Sequence, residues 1–306
     1  MARPLRYVPE EGSLVEVTCR TIHGRFLFRP SPMFNAIIVG VLARAKQLHP
    51  LRISALVFLS NHFHLLVEVS DAQSLSDFME YFNSNLAREV ARLTGWSTRI
   101  FATRYRAIPV SDEEAAQIER FRYILSHGVK ENLVAEILDW PGVHMAHSLL
   151  SGEPLTGYWI DRTQEYAARR RRKEFDPLQY STPEVLVLDP LPCWKDLSAE
   201  EYRRRVASLV QEIEEEAAAK RKQSGIQPLG RKAILAQHPH HCPEEVKKSP
   251  APRIHAASQA VRRCFYEAYS WFVAAFRDAA AKLRAGDRMA SFPAGSFPPA
   301  LPFVGG

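Results

Sequence analysis

The chain has 306 residues, 46% of them hydrophobic and 24% charged, with a formal net charge of +6. That length suits a domain of about 100–150 residues with a real core plus a substantial extension. No apolar run approaches the ~20 residues of a membrane span, and Met1-Ala2-Arg3-Pro4-Leu5-Arg6 leads into polar residues without an apolar signal region.

Leu14 to Arg20 alternates as a first strand, followed by a loop around Gly24. Ser31-Pro32 reads as a cap and first helical residue, and Phe34, Ile37, Ile38, Val41, Leu42 and Ala45 recur at helical spacing until Pro50. Arg52 to Leu59 makes a second strand, and Ser60-Asn61 is short enough to turn directly into a third as a hairpin. Leu75, Phe78, Met79, Phe82, Leu86, Val90 and Leu93 give a second amphipathic helix, which Gly95 is placed to stop. Arg99 to Val110 supplies a fourth strand. The order strand, helix, strand, strand, helix, strand predicts an α+β fold, a ferredoxin-like split βαβ antiparallel sheet with helices on one face. The opposite face is left open, and Asn83, Asn85 and Arg88 on the second helix are guesses for side chains near a site.

On the third strand His62 and His64 project to one side, while Phe63, Leu65, Val67 and Val69 project into a core. Two imidazoles fixed on a strand suit metal binding, because neutral imidazole is a common ligand and the strand sets both ring positions. Hydrogen-bonded histidines without a metal are the plainer reading, and Glu68 on the same face is an alternative ligand. Further on, Ser111 and Glu114 can form a capping box, predicting a helix from about residue 112 to about 135. On it Tyr123 and His127 lie one turn apart, on a polar stripe with Arg120, Lys130 and Glu131. A phenol beside a third ligand, flanked by cations, suits attack on a phosphodiester. A tyrosine packed on a core and a helix-surface histidine are the ordinary alternatives.

The phrase Asn61-His62-Phe63-His64-Leu65-Leu66-Val67, followed roughly sixty residues later by Tyr123 with a polar residue four positions on, resembles the single-tyrosine HUH transposases. The REP-associated tyrosine transposases, relatives of the small insertion-sequence transposases, are the nearest branch, and the resemblance covers roughly residues 10–150. Where that family commonly has Asn or Gln, this chain has His127. The resemblance implies Tyr123 as nucleophile, with His62, His64 and His127 holding a divalent cation, Mg²⁺ or Mn²⁺. It implies reversible DNA transesterification through a 5′-phosphotyrosine that frees a 3′-hydroxyl. Single-stranded or hairpin DNA is the implied partner, and family members act as monomers or homodimers. Two other functions stand beside this one: a non-cleaving hairpin-binding regulator, and a hydrolytic metal phosphoesterase in which water attacks.

Residues 1–160 carry 16 Lys and Arg against 16 Asp and Glu, so the basic surplus lies wholly in 161–306. A neutral catalytic domain over 1–150 and a basic, largely helical extension over 151–306 are expected, a layout suited to a DNA enzyme. For DNA contacts, Arg99, Arg104 and Arg106 interleave with Phe101 and Tyr105, a mixture that can hold phosphates and stack unpaired bases. Solvated arginines on an ordinary strand are the alternative. Arg120 and Lys130 flank the tyrosine, and the run Arg169-Arg170-Arg171-Arg172-Lys173 is expected to take a DNA backbone.

Within the extension, Pro177, Pro183, Pro190 and Pro192 punctuate a linker, and Ser198 caps a charged helix to about Gln223 that reads as an exposed arm. An aromatic helix from Ala256 to about Leu283 is expected to dock on something, and the tail from Phe292 to be irregular. His238, His240, His241 and Cys242 are interrupted by Pro239 and Pro243 and do not read as a zinc site. The cysteines, Cys19, Cys193, Cys242 and Cys264, form no Cys-x-x-Cys pair and read as reduced thiols in a cytoplasm, where a nucleoid-associated protein is expected.

Overall fold

The structure, a computed structural model, describes residues 5–9, 12–171, 177–244 and 252–299. Its centre is a four-stranded antiparallel sheet, β1 (Ser13–Arg20), β2 (Arg52–Leu59), β3 (His62–Val69) and β4 (Arg106–Val110), in the order β2-β3-β1-β4. Helices α1 (Pro32–Leu48) and α2 (Ala72–Thr94) follow β1 and β3, which is the ferredoxin-like arrangement. Ser31 caps α1 by accepting from the Phe34 N–H, and Gly95, at φ 67°, closes α2 in the left-handed conformation. Phe58 and Phe63, paired across β2 and β3, meet Phe82 of α2, so this sheet face and the two helices share the main core.

The fourth strand is shorter than predicted. Only Arg106–Val110 pairs along β1, and Phe101 makes one isolated bridge to Thr21. Phe101 packs against Phe28 and Phe63, and Tyr105 is buried with its hydroxyl toward the Leu75 carbonyl, so neither ring is free to stack on a base in the way the sequence suggested. Being on α2, Asn83, Asn85 and Arg88 lie across the sheet from the histidine face and do not approach it.

Helix α3 (Glu114–Leu125) crosses the other sheet face, against β2 and β3. The capping box does not form: Ser111 donates to the Glu113 carboxylate, which also accepts from the Ala257 and Ser258 N–H groups. The helix ends ten residues sooner than expected because Gly128 takes φ 94° and turns the chain. Short α4 (Ala146–Ser151) follows.

Beyond residue 150 the packing continues. Strand β5 (Leu155–Ile160), missed in the sequence, pairs with β6 (Ser181–Leu186), which occupies the expected proline linker; Pro183 is tolerated because the ribbon has only two strands. Gly157 of β5 meets Gly40 of α1 so closely that a Cβ on Gly40 would lie 2.1 Å from the Tyr158 carbonyl oxygen. Gly40→Ala is therefore expected to destabilise the fold by about 3 kcal/mol, read as a lower urea midpoint, because a backbone contact cannot rotate away.

After β5 come α5 (Arg162–Arg169), tied to α2 by Arg162–Glu89, then α6 (Ala199–Ser224), α7 (Arg231–Ala236) and α8 (Gln259–Arg284). Far from being an exposed arm, α6 buries Val206 and Ile213 against the main core and packs on α3 and α4. Before α8, His255 donates its N–H to the Pro109 carbonyl and accepts from the Ser111 N–H, forming a parallel bridge to the outer edge of β4. No described helix is long and apolar enough to cross a membrane.

Candidate active site

The split βαβ sheet puts His62 and His64 on the face that α3 covers. His127, two residues past the end of α3, comes down onto them; its ring centroid is 4.5 Å from that of His64 and 5.9 Å from that of His62. One ligand atom from each residue lies within 4.8 Å of the others, the single such group of three among the described residues. Glu68 pairs instead with Arg52 at 3.4 Å and stays outside the cluster.

Each imidazole has its Nδ1 committed. His62 Nδ1 lies 2.7 Å from Asn61 Oδ1, His64 Nδ1 lies 2.8 Å from Glu16 Oε1, and His127 Nδ1 lies 2.8 Å from the Tyr123 carbonyl oxygen. All three partners are acceptors, so all three Nδ1 atoms carry the proton, leaving three Nε2 lone pairs. Burial, followed by the neighbouring imidazoles, pulls His62 and His127 well below their ordinary values. At neutral pH they are uncharged and no proton competes for Nε2. Three imidazoles whose outer nitrogens are held by hydrogen bonds, leaving their other nitrogens for a ligand, fit a divalent cation.

The early end of α3 explains the His127 contact. The Tyr123 carbonyl lies in the last turn, where helix C=O groups lack intrahelical partners, and the imidazole satisfies it. Tyr123 itself stands half-buried beside the cluster, its ring centroid 4.7 Å from that of His127 and 5.8 Å from that of His64. The Arg120 guanidinium lies 4.4 Å and the Lys130 ammonium 3.8 Å from its centroid, so the ring carries two cations. Among the described residues its hydroxyl has no hydrogen-bond partner. Burial, and then the Glu16 charge, push the phenol above its ordinary value, while Arg120 acts in the opposite direction.

Glu16 is the residue that the sequence reading missed. It projects from β1 on the histidine face, is 3% exposed, and meets His64 at 2.8 Å, His255 at 2.6 Å and Arg120 at 3.6 Å. Burial pushes its carboxyl up, but His255 and His64 outweigh this and hold it well below the usual carboxylate range. A lone acid on the otherwise apolar Leu14-Val15-Glu16-Val17 was the available signal. Nothing in the sequence pointed to His255, which reaches the site only through the β4 edge.

Of the expected DNA contacts, Arg120 is built into the site, with side-chain exposure of 12%. Arg106 pairs with Thr18, which pairs with His64, so it shares the histidine face; Arg99, Arg104 and Lys130 are exposed. Arg169, Arg170 and Arg171 are exposed at the end of α5, on the side of α2, and Arg169 pairs with Glu165 at 3.4 Å. Arg172 and Lys173 lie outside the described residues.

A strand bearing His-hydrophobic-His on a split βαβ sheet, with a helical tyrosine beside it, defines an HUH-type site. Residues 34–127 match the model of the IS200-like transposase family. Among solved structures it is similar to a REP-associated tyrosine transposase bound to a REP hairpin, at 17% identity and a TM-score of 0.39, over 49% of this chain and 86% of that one. It is also similar to a protein described as a transposase from Deinococcus radiodurans R1, at 17% identity and a TM-score of 0.28, over 40% of this chain and 95% of that one. No curated protein sequence matches it.

Proposed function

We propose that this protein cuts and rejoins single-stranded or hairpin DNA, with Tyr123 as nucleophile and a divalent cation, Mg²⁺ or Mn²⁺, held by His62, His64 and His127. The observation that carries the reading is the set of three committed Nδ1 atoms beside a phenol hydroxyl that has no hydrogen-bond partner among the described residues. When bound, the cation supplies Lewis-acid stabilisation of charge on the scissile phosphate.

The residues of the chain do the rest. Tyr123 presents its hydroxyl to the phosphorus; the Oη–P bond forms, the P–O3′ bond breaks, and the phenolic proton ends on the departing 3′-oxygen. Arg120 and Lys130, both against the ring, stabilise negative charge that grows on the phenol oxygen. The phosphotyrosine ester keeps the energy of the broken bond, so a second 3′-hydroxyl reseals the strand by the reverse step. Exposed Arg99, Arg104 and Arg106 supply backbone contacts to the strand, while exposed Arg169, Arg170 and Arg171, on the α2 side, would hold DNA backbone away from the cut. Tyr123 sits beside the histidines of its own chain, which supports a site assembled within one copy rather than across a homodimer.

Labelled hairpin DNA from the flanks of the gene, incubated with the protein and Mn²⁺, is expected to yield a denaturation-resistant protein–DNA species that EDTA prevents. Tight binding without any adduct would favour the non-cleaving regulator. Multiple-turnover cleavage without an adduct would favour hydrolysis.

A further inference from the structure

At the outer edge of β4 a cleft of about 430 Å³ lies between the strand, the segment Leu5–Tyr7 and helix α8. Arg6, Arg104, Arg106 and Arg253 line it together with Tyr105 and Tyr269. Among the described residues none of these four guanidiniums has a carboxylate within ion-pair distance, although ion pairs are abundant elsewhere on the molecule. Arg6 stacks on the Tyr105 ring at 4.3 Å, and its Nη1 is buried with no hydrogen-bond partner. Arg253 donates to the Tyr269 hydroxyl at 2.8 Å, which fixes one wall. Four cations that line a concave space repel one another unless an anion joins them, and the half-buried Tyr269 offers an aromatic edge to a base, the Tyr105 ring being covered by Arg6.

The cleft is aligned with the catalytic face. Arg106 pairs with Thr18 on β1, and Thr18 pairs with His64 on β3, so two strand spacings, about 10 Å, separate Arg106 from the histidine. This corresponds to roughly three nucleotide steps at the rise of a stacked strand.

We infer that this cleft is a single-nucleotide pocket that holds one unpaired nucleotide of the DNA strand, its phosphate on the arginines and its base against the Tyr269 side of the cleft, a few steps from the bond that is cut. The inference rests on the proposed DNA-strand reading, but it concerns binding alone and needs neither metal nor Tyr123 chemistry. The pocket also gives the extension a role, since Arg253 and Tyr269 come from it.

Fluorescence anisotropy in EDTA, with single-stranded DNA from the gene's flank as probe, tests the pocket. Arg104→Glu and Arg253→Glu, both at exposed positions, are expected to weaken binding at least tenfold and to flatten the salt dependence by about one unit of slope each. Arg204→Glu on α6 is the control for charge alone and should change affinity less than threefold. Abasic substitution along the probe should reveal one position of high penalty in the native protein, and that penalty should shrink in Tyr269→Ala. Variants indistinguishable from the Arg204 control, a flat abasic scan, tighter binding of free nucleoside monophosphate than of the strand, or no binding of the strand would each overturn the pocket. Normal binding without covalent adduct would instead overturn the nucleophile assignment and leave the pocket standing.

Discussion

A Tyr123→Phe variant is expected to fold with nearly native stability, to bind single-stranded DNA as tightly as the native protein, and to form no covalent adduct. The stability half follows from the absence of a hydrogen-bond partner for the hydroxyl among the described residues, so its removal strands no buried group. The ring contacts to Arg120, Lys130 and His127 survive in phenylalanine. The chemical half follows because, among the described residues, no other phenol stands against the rings of His62, His64 and His127. Loss of strand transfer should be total within detection, read on a denaturing gel beside a melting curve. Adduct formed by the phenylalanine variant would end the nucleophile assignment.

Glu16→Gln is expected to weaken binding of Mn²⁺ by about 10- to 100-fold, measured by calorimetry, as is usual when the partner of a metal-binding histidine is altered. The amide keeps the size of the side chain but offers a neutral acceptor to His64 and no charge to balance Arg120. The native carboxyl titrates lower in the folded chain than in the unfolded one, so the folded state binds fewer protons through the acid range. Its contribution to stability is complete above the ordinary carboxylate value near 4 and is lost as pH falls below it. The variant should therefore show a shallower fall of melting temperature with acidification than the native protein. Equal slopes would mean that Glu16 is not the group holding the site in acid.

The alternation of β1 and β3 and the apolar spacings of α1 and α2 made the sheet and its helical layer legible, because each element buries one face against the same core. The histidine pair could be read from strand parity, but its meeting with Tyr123 and His127 is a long-range contact that the predicted helix did not establish, and it depends on α3 ending early before Gly128. What escaped depended on tertiary context. The capping box at Ser111 lost to a Glu113 carboxylate engaged by the start of α8, residues more than a hundred positions away. Phe101 and Tyr105 looked like base-stacking residues because interleaving with arginine says nothing about which way a bent strand turns its rings. Strand β6 was hidden by Pro183, since proline argues against a central strand but is tolerated in a two-stranded ribbon. Glu16 and His255 meet only because the segment before α8 lies along β4, a pairing with no local signature.

Tyr269 donates to the carbonyl of Leu5 across 264 positions of sequence, and Tyr7 sits among Phe265, Tyr269 and Phe272. A contact of that separation cannot form while the chain is still being synthesised through α6 and α7. The histidine sheet, built from nearby segments, is free to fold first, and the wall that faces β4 closes over it later. Assembly thus imposes a delay between the histidine cluster and the closed cleft, so a nascent polypeptide stalled before α8 would have all four arginines yet lack the Phe265 and Tyr269 wall.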